Sequence, residues 1–372
     1  MVLRIVPSGL PARMSGFSRG CRSYIVVYIG RRTPVRPQLC GRSTIMLTRR
    51  SLLACGAAGA AALALGRPGL SRPVEGLEIL GAPNASTIVL VRLLESGGLA
   101  AAAPGASFRL WRDADELRAG LVSGRSRLIT TPTHVPANLA NRGLPMRLLC
   151  VLSMGHLSIV TAEEGIGALA DLRGRPVVGF FRNDMPDLVF RTLVRRDGLD
   201  PDRDMTLTYA QTAMEAAQML AAGRAATAIL SEPSATAAIA MAQQQGRTLR
   251  RAVSLQAEWG RHFGRPRIPM AGVALHQSLI DEAPALVAAL RAGLVPAKDW
   301  VLANRGEAAA LAERTMATKA PLFERSLAHF NVDTVSARTL KDELETFYGA
   351  ILALSPEALG GRLPDDAFYL DL

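Results

Sequence analysis

Short apolar runs of strand length recur along residues 77–372 of the 372-residue chain, separated by turn residues and longer segments of helical character. The runs lie at 77–83, 107–111, 127–130, 148–152, 157–161, 177–180, 205–209 and 225–230. Between them, Asn84-Ala85-Ser86-Thr87 supplies capping side chains for a helix over 88–94, and Asp113 or Asp115 caps one that ends near 120–124. Pro132-Thr133-His134-Val135-Pro136 turns into another helix. The pattern restarts at the turn Leu172-Arg173-Gly174-Arg175-Pro176, with helices predicted over 184–194, 214–222 and from Glu232-Pro233-Ser234 to about 245. From 271–275 onward the chain reads as mostly helical, with apolar residues three and four apart in 283–294 and 308–315. Strands alternating with helices point to α/β units with largely parallel sheets, in two lobes whose first is completed by the tail. No internal repeat of about 20–50 residues stands out, nor any low-complexity tract outside the Ala-rich helices.

The first 65 residues break this pattern. Thr48-Arg49-Arg50-Ser51-Leu52-Leu53 precedes Ala54-Cys55-Gly56 and an Ala/Leu-rich run to Leu65, about 14 small or apolar residues, the length of a signal-peptide core. The paired arginines resemble a twin-arginine export signal, and Ala62-Leu63-Ala64 has the small-x-small form of a cleavage site. Cys55 invites lipidation, but only four residues separate it from Arg50, short of the apolar stretch such a cysteine needs. Met46 stands just before this signal, so residues 1–45 read as a mis-started or disordered extension, 46–65 as the export signal and 66–76 as a linker. The expected location is the periplasm.

Charge then loses its first meaning. The net +11 suggests nucleic acid, yet residues 1–65 hold ten arginines and no acids. Without them 33 basic residues face 32 acidic ones, no surplus for neutralising phosphates. With 49% apolar and 20% charged residues the chain can bury a core, which excludes general disorder. No apolar run reaches the roughly 18–20 residues of a spanning helix. Beyond residue 65 only Cys150 remains, and its apolar neighbours place it as a packed thiol on a strand. Beyond residue 65 no phosphate-binding glycine loop, zinc-peptidase motif or nucleophile elbow occurs, and the five histidines lack metal spacing. Neither cofactor nor metal is expected.

Three stretches carry a resemblance. They are Asp171-Leu172-Arg173-Gly174-Arg175-Pro176-Val177-Val178-Gly179; then Glu215-Ala216-Ala217-Gln218-Met219-Leu220-Ala221-Ala222-Gly223 followed by Glu232-Pro233; and Ala283-Pro284-Ala285-Leu286-Val287 leading to Trp300-Val301-Leu302-Ala303-Asn304. In this order and spacing, over about 77–350, the chain resembles the solute-binding proteins of ABC importers, in particular the nitrate/taurine/alkanesulfonate-binding family. The resemblance implies a type II periplasmic-binding-protein fold, two α/β lobes joined by two crossovers around a ligand cleft. Lobe one would be 77–157 plus 258–372 and lobe two 158–257. It further implies a monomer that presents a small polar or anionic solute to a permease and its ATPase. Enzymes of this shape, chorismate dehydratase-like or pyrimidine-synthase-like, are the alternative, as is a periplasmic sensor. The pyrimidine-synthase type carries a cysteine-rich motif that this chain lacks, and both are cytoplasmic.

Four loops at strand ends would face the cleft. Asn84 and Ser86, with free helical N–H groups, suit an anion or simply cap a helix. Thr131 is the better ligand candidate in the second loop, His134 the better structural residue. In the third, Arg182, Asn183 and Asp184 follow a strand. Arg182 offers a donor fork for a carboxylate or sulfonate, or pairs with Asp184 or Asp187. Glu232 in the fourth would accept from a donor on the solute or cap its helix. Phe181 and Trp259 would stack on a ligand or pack in the core.

Overall fold

Two mixed sheets flanked by helices organise residues 72–372, the part of the chain that the computed structural model describes. The expected extension, the export signal and Cys55 lie outside the described residues. The first sheet contains β1 (Glu78–Gly81), β2 (Ser107–Leu110), β3 (Leu128–Pro132), β4 (Met146–Ser153), β10 (Ala271–His276) and β11 (Val332–Ser336), in the order β11-β4-β10-β3-β1-β2. The second contains β5 (Leu157–Thr161), β6 (Pro176–Phe180), β7 (Thr206–Ala210), β8 (Thr227–Ser231) and β9 (Arg250–Ser254), in the order β7-β6-β8-β5-β9.

The sheets are less parallel than expected. β1, β2 and β3 run parallel, as do β6, β7 and β8, but β10 is antiparallel to both β3 and β4, and β5 to both β8 and β9. β9, β10, β11 and the helix Leu255–Phe263 fall where the sequence pattern gave no strand or only a mostly helical tail. β10 is buried on both faces, Val273, Ala274 and Leu275 being fully enclosed. A short, uniformly apolar run of that kind has no period to separate strand from helix. Gly272 permits the close approach to β4, since a Cβ there would collide with the Cys150 carbonyl.

The two sheets share one design. Place for place, β2-β1-β3-β10-β4 corresponds to β7-β6-β8-β5-β9. The capping follows suit: Asp113 accepts from the Glu116 N–H at 2.8 Å, and Thr212 from the Glu215 N–H at 3.1 Å. Each glutamate then reaches back to a main-chain N–H, at Arg112 and Gln211, both at 2.7 Å. Ala114, Glu116, Leu121, Gly124 and Arg125 recur as Ala213, Glu215, Leu220, Gly223 and Arg224, a constant offset of 99 residues (215 − 116).

Ile79, Leu128, Cys150 and Val273 pack one face of the first sheet against the helices Ile88–Glu95 and Pro284–Ala303, through Leu90, Leu290 and Leu294. The opposite face, with Leu80, Ile129 and Leu148, joins a cluster that continues through Trp259, Phe347 and Tyr348 to Val177, Phe180 and Ile229 of the second sheet. The chain passes between sheets at 154–156 and again at 264–270. The two crossovers run side by side, Ile268 N–H donating to the Met154 carbonyl at 3.1 Å and Met270 N–H to that of Ser153 at 3.0 Å.

Candidate functional site

A cavity of about 340 Å³ opens between the carboxyl ends of the two sheets. Its walls come from the ends of all six parallel strands: Ala82–Asn84 after β1, Trp111 and Arg112 after β2, Pro132 from β3, Phe180 and Phe181 at β6, Thr212–Met214 after β7, and Ser231, Pro233 and Ser234 at β8. Such ends are where open α/β sheets place ligands, because each strand there turns into a helix. The lining is chiefly apolar, with Trp111, Leu117, Val135, Phe181, Met185, Met214 and Met316 and four prolines. Arg112, Arg118 and Asp184 bring charge to it.

The three non-glycine residues with positive φ among the described residues gather here: Phe181 (50°), Asn183 (59°) and Ala317 (51°). Phe181 and Ala317 line the cavity. A bulky residue in this conformation is strained and persists only where the surroundings impose it. Asp187 imposes it beside Phe181. Its Oδ2 accepts from the Asn183 N–H at 2.9 Å, while Oδ1 accepts from Arg191 Nε at 2.9 Å and Tyr209 Oη at 2.8 Å. Burial, and the hydrogen bond to Asp187, push the Tyr209 phenol up to about 12, so it serves as a fixed donor.

Asp184 ties the lobes together across the mouth. Its Oδ1 caps the helix Met185–Arg196, accepting from the Met185 N–H at 2.7 Å, and lies 3.2 Å from His134 Nε2. Its Oδ2 accepts from Arg118 Nη2 at 3.3 Å. Burial alone would raise the carboxyl, but the hydrogen bond and charge of His134, then the Met185 N–H and the Arg118 charge, hold it down at about 2. Asp184 is therefore ionised at neutral pH and opposes two cationic or hydrogen-donating groups of the other sheet.

The remaining expected residues are placed as follows. Asn84 lines the cavity with Asp184, and its Oδ1 accepts from the Ser86 N–H at 3.0 Å and hydroxyl at 2.7 Å, so the Asn84–Ser86 pair forms a helix cap. Thr131 is fully buried with its Oγ1 unpartnered, and His134 Nδ1 is likewise without a partner. Arg182 and Asn183 are exposed; Arg182 lies 5.5 Å over the Tyr209 ring and pairs with neither Asp184 nor Asp187. The Glu232 carboxylate is taken up within its own lobe by Arg251 Nε at 2.9 Å and the Thr236 hydroxyl at 2.7 Å, leaving Ser231, Pro233 and Ser234 at the cavity. Trp259 packs in the core against Phe263 and Phe347.

Sequence reasoning missed Trp111, Arg118, Met316 and His156, all of which line the cavity. The one available signal was position: Trp111 ends a strand run, and His156 sits in the break between two apolar strands. It also missed a cluster of Asp197, Glu258 and His262, the last two four apart on one helix. Arg261 donates to both of its carboxylates, so a guanidinium already meets that charge, and the cluster lies outside the cavity lining.

Known structures share this architecture. An ABC transporter structure from Parabacteroides distasonis is 22% identical, covers 79% of this chain and 98% of its own, and superposes with a TM-score of 0.62. The periplasmic aliphatic sulphonate binding protein SsuA from Escherichia coli is 18% identical, with coverages of 80% and 99% and a TM-score of 0.60. The periplasmic nitrate-binding protein NrtA from Synechocystis PCC 6803 is 15% identical, with coverages of 77% and 84% and a TM-score of 0.58. No curated protein matches the chain in sequence. The two-lobed fold implied by the resemblance is thus the fold observed. A family model matches residues 113–316, more than half of the 372 residues, and the chain belongs to the NMT1-like family.

Proposed function

We propose that the protein is the extracytoplasmic solute-binding component of an ABC importer, which takes a small organic solute by lobe closure and presents it to a permease and its ATPase. The observation that carries this reading is the single cavity shared by the carboxyl ends of both sets of parallel strands and bridged by Asp184, Arg118 and His134. A cleft so built gains solute contacts from both lobes only when it is shut, so differential affinity for the closed state drives the hinge. Lobe one as 77–157 plus 258–372 and lobe two as 158–257 would move about the paired crossovers. The structure-bearing residues would act as a monomer in the periplasm, delivered by the twin-arginine-like signal at 46–65.

The lining favours a solute with an apolar body and a polar or anionic end, such as an organic acid or sulfonate. Nitrate would leave the aromatic and methionine walls without contacts, a poor use of apolar surface. Asn84 and Asp184 would meet the solute directly. Thr131 would lie just behind the lining, with Ser86, Arg182, Asn183 and Glu232 as flanking members of the same four loops. Thermal unfolding against sulfonates, aromatic acids, nitrate and pyrimidines tests this. A solute at 100 times its Kd adds roughly 2.7 kcal/mol, a visible rise in midpoint. Stabilisation by nitrate alone would overturn the assignment of solute class. A stabilising compound that is consumed would turn the reading to an enzyme on the same fold.

A further inference from the structure

His156 occupies an unusual place: it lies in the first crossover, between β4 and β5, and it also lines the cavity. Two contacts fix its ring and a third its backbone. Nδ1 stands 2.8 Å from Ser153 Oγ. The ring stacks on Phe330 with centroids 4.4 Å apart and planes inclined by 8°. Its own main-chain carbonyl accepts from the Glu232 N–H at 3.1 Å, next to Ser231, which also lines the cavity. The residue is 4% exposed overall. Nε2 has no hydrogen-bond partner among the described residues, and unlike His134 Nδ1 it is not among the sealed, unpartnered atoms.

We propose that His156 is a solute-binding residue, with Nε2 at the hinge end of the cavity making a hydrogen bond to an uncharged donor or acceptor on the solute. This rests on the reading of the cavity as a solute site and names the chemistry at one end of it. A buried polar atom needs a partner, and the solute would be the group within reach that can supply it. Burial pushes the imidazole down to about 3, so at neutral pH the ring is uncharged and cannot act as an anion clamp. When the Ser153 hydroxyl donates to Nδ1, Nε2 carries the ring proton and donates; when Nδ1 donates to the hydroxyl, Nε2 accepts. The pair thus adapts to a hydroxyl, an amide or a ring nitrogen. Because His156 is itself a hinge residue, a bond at Nε2 also fixes the crossover in its closed arrangement.

The test uses the full chain labelled with ¹⁵N-histidine and ¹³C-methyl methionine, and three aromatic probes of similar body: benzamide, benzenesulfonate and toluene. The Met185, Met214 and Met316 methyls report entry to the cavity, and the His156 ring nitrogens report the hydrogen bond. Benzamide is expected to move the methyls and to shift Nε2 more than Nδ1, while toluene moves the methyls alone. His156→Phe, which keeps the stack on Phe330, is expected to weaken benzamide about three- to tenfold and leave toluene unchanged. Entry of benzamide without an Nε2 shift overturns the role of His156 and leaves the cavity reading standing. No methyl shift with any probe overturns both. The wild-type shifts decide the matter even where the variant fails to fold.

Discussion

Removing the charge of Asp184 probes the bridge to Arg118 and His134 directly. In Asp184→Asn the side chain still accepts from the Met185 N–H, but the carboxylate opposite Arg118 and His134 is gone. The carboxyl is held at about 2 against an ordinary value of 3.8, and a depression of about two pH units corresponds to about 2–3 kcal/mol of interaction favouring the ionised form. Arg118 is close to half exposed, so Arg118→Ala alone is expected to cost only about 0.5–1 kcal/mol. His134, 3% exposed, carries the larger share. Urea unfolding at pH 7 should therefore show Asp184→Asn less stable by about 2 kcal/mol, with Asp184→Asn and Arg118→Ala less than additive in the double variant. The pH dependence has a definite sign. A carboxyl depressed in the folded state stabilises above its unfolded value and loses that contribution as pH falls through the folded one, so the wild-type advantage should vanish between about pH 4 and about pH 2. Equal stability of wild type and Asp184→Asn at pH 7, or strict additivity with Arg118→Ala, refutes the bridge.

Other residues give independent tests. His156 is held neutral down to about 3, so as pH falls below roughly 6.5 the unfolded chain takes up a proton first and stability drops; between pH 7 and 5 wild type should lose about 2 kcal/mol more than His156→Asn, and parallel curves would dismiss the burial of the ring. Glu232, 1% exposed, is the counter-charge of Arg251, and Glu232→Ala should cost about 3 kcal/mol in urea unfolding because it strands a partly buried guanidinium; a loss below about 1 kcal/mol would show that the pair contributes little. Burial pushes the Cys150 thiol up to about 12, so mass spectrometry after native iodoacetamide treatment should find its peptide unlabelled, and rapid labelling would contradict its placement on β4.

Much of this organisation was legible in the sequence, and the gaps have physical causes. β1 to β8 were visible as short runs with apolar positions between turn or capping residues, and Asn84, Asp113 and Asp184 announced their helices by the residue types that cap them. β10 was not, since an enclosed strand of six residues has no alternation. The duplicated lobe design was hidden for a different reason. Only scattered positions such as Glu116 and Glu215 persist at the 99-residue offset, where they serve matching caps, while the residues between them have diverged. At the site, sequence found the right loops but could not assign side chains within them. Glu232 and Ser231 are neighbours on one loop, yet one is turned to Arg251 and the other to the cavity. Trp111, Arg118 and His156 meet there only because a strand end, a helix and a crossover converge in three dimensions.

The proposed role requires that one small organic solute be bound, unchanged, between the lobes. Calorimetric titration with a stabilising solute from the thermal panel, with the compound recovered and weighed by mass spectrometry, tests it most directly. Such binding requires saturation at a single site, a negative heat-capacity change from apolar surface buried on closure, and full recovery of the intact solute. A heat-capacity change near zero, or conversion of the solute during the titration, would contradict it.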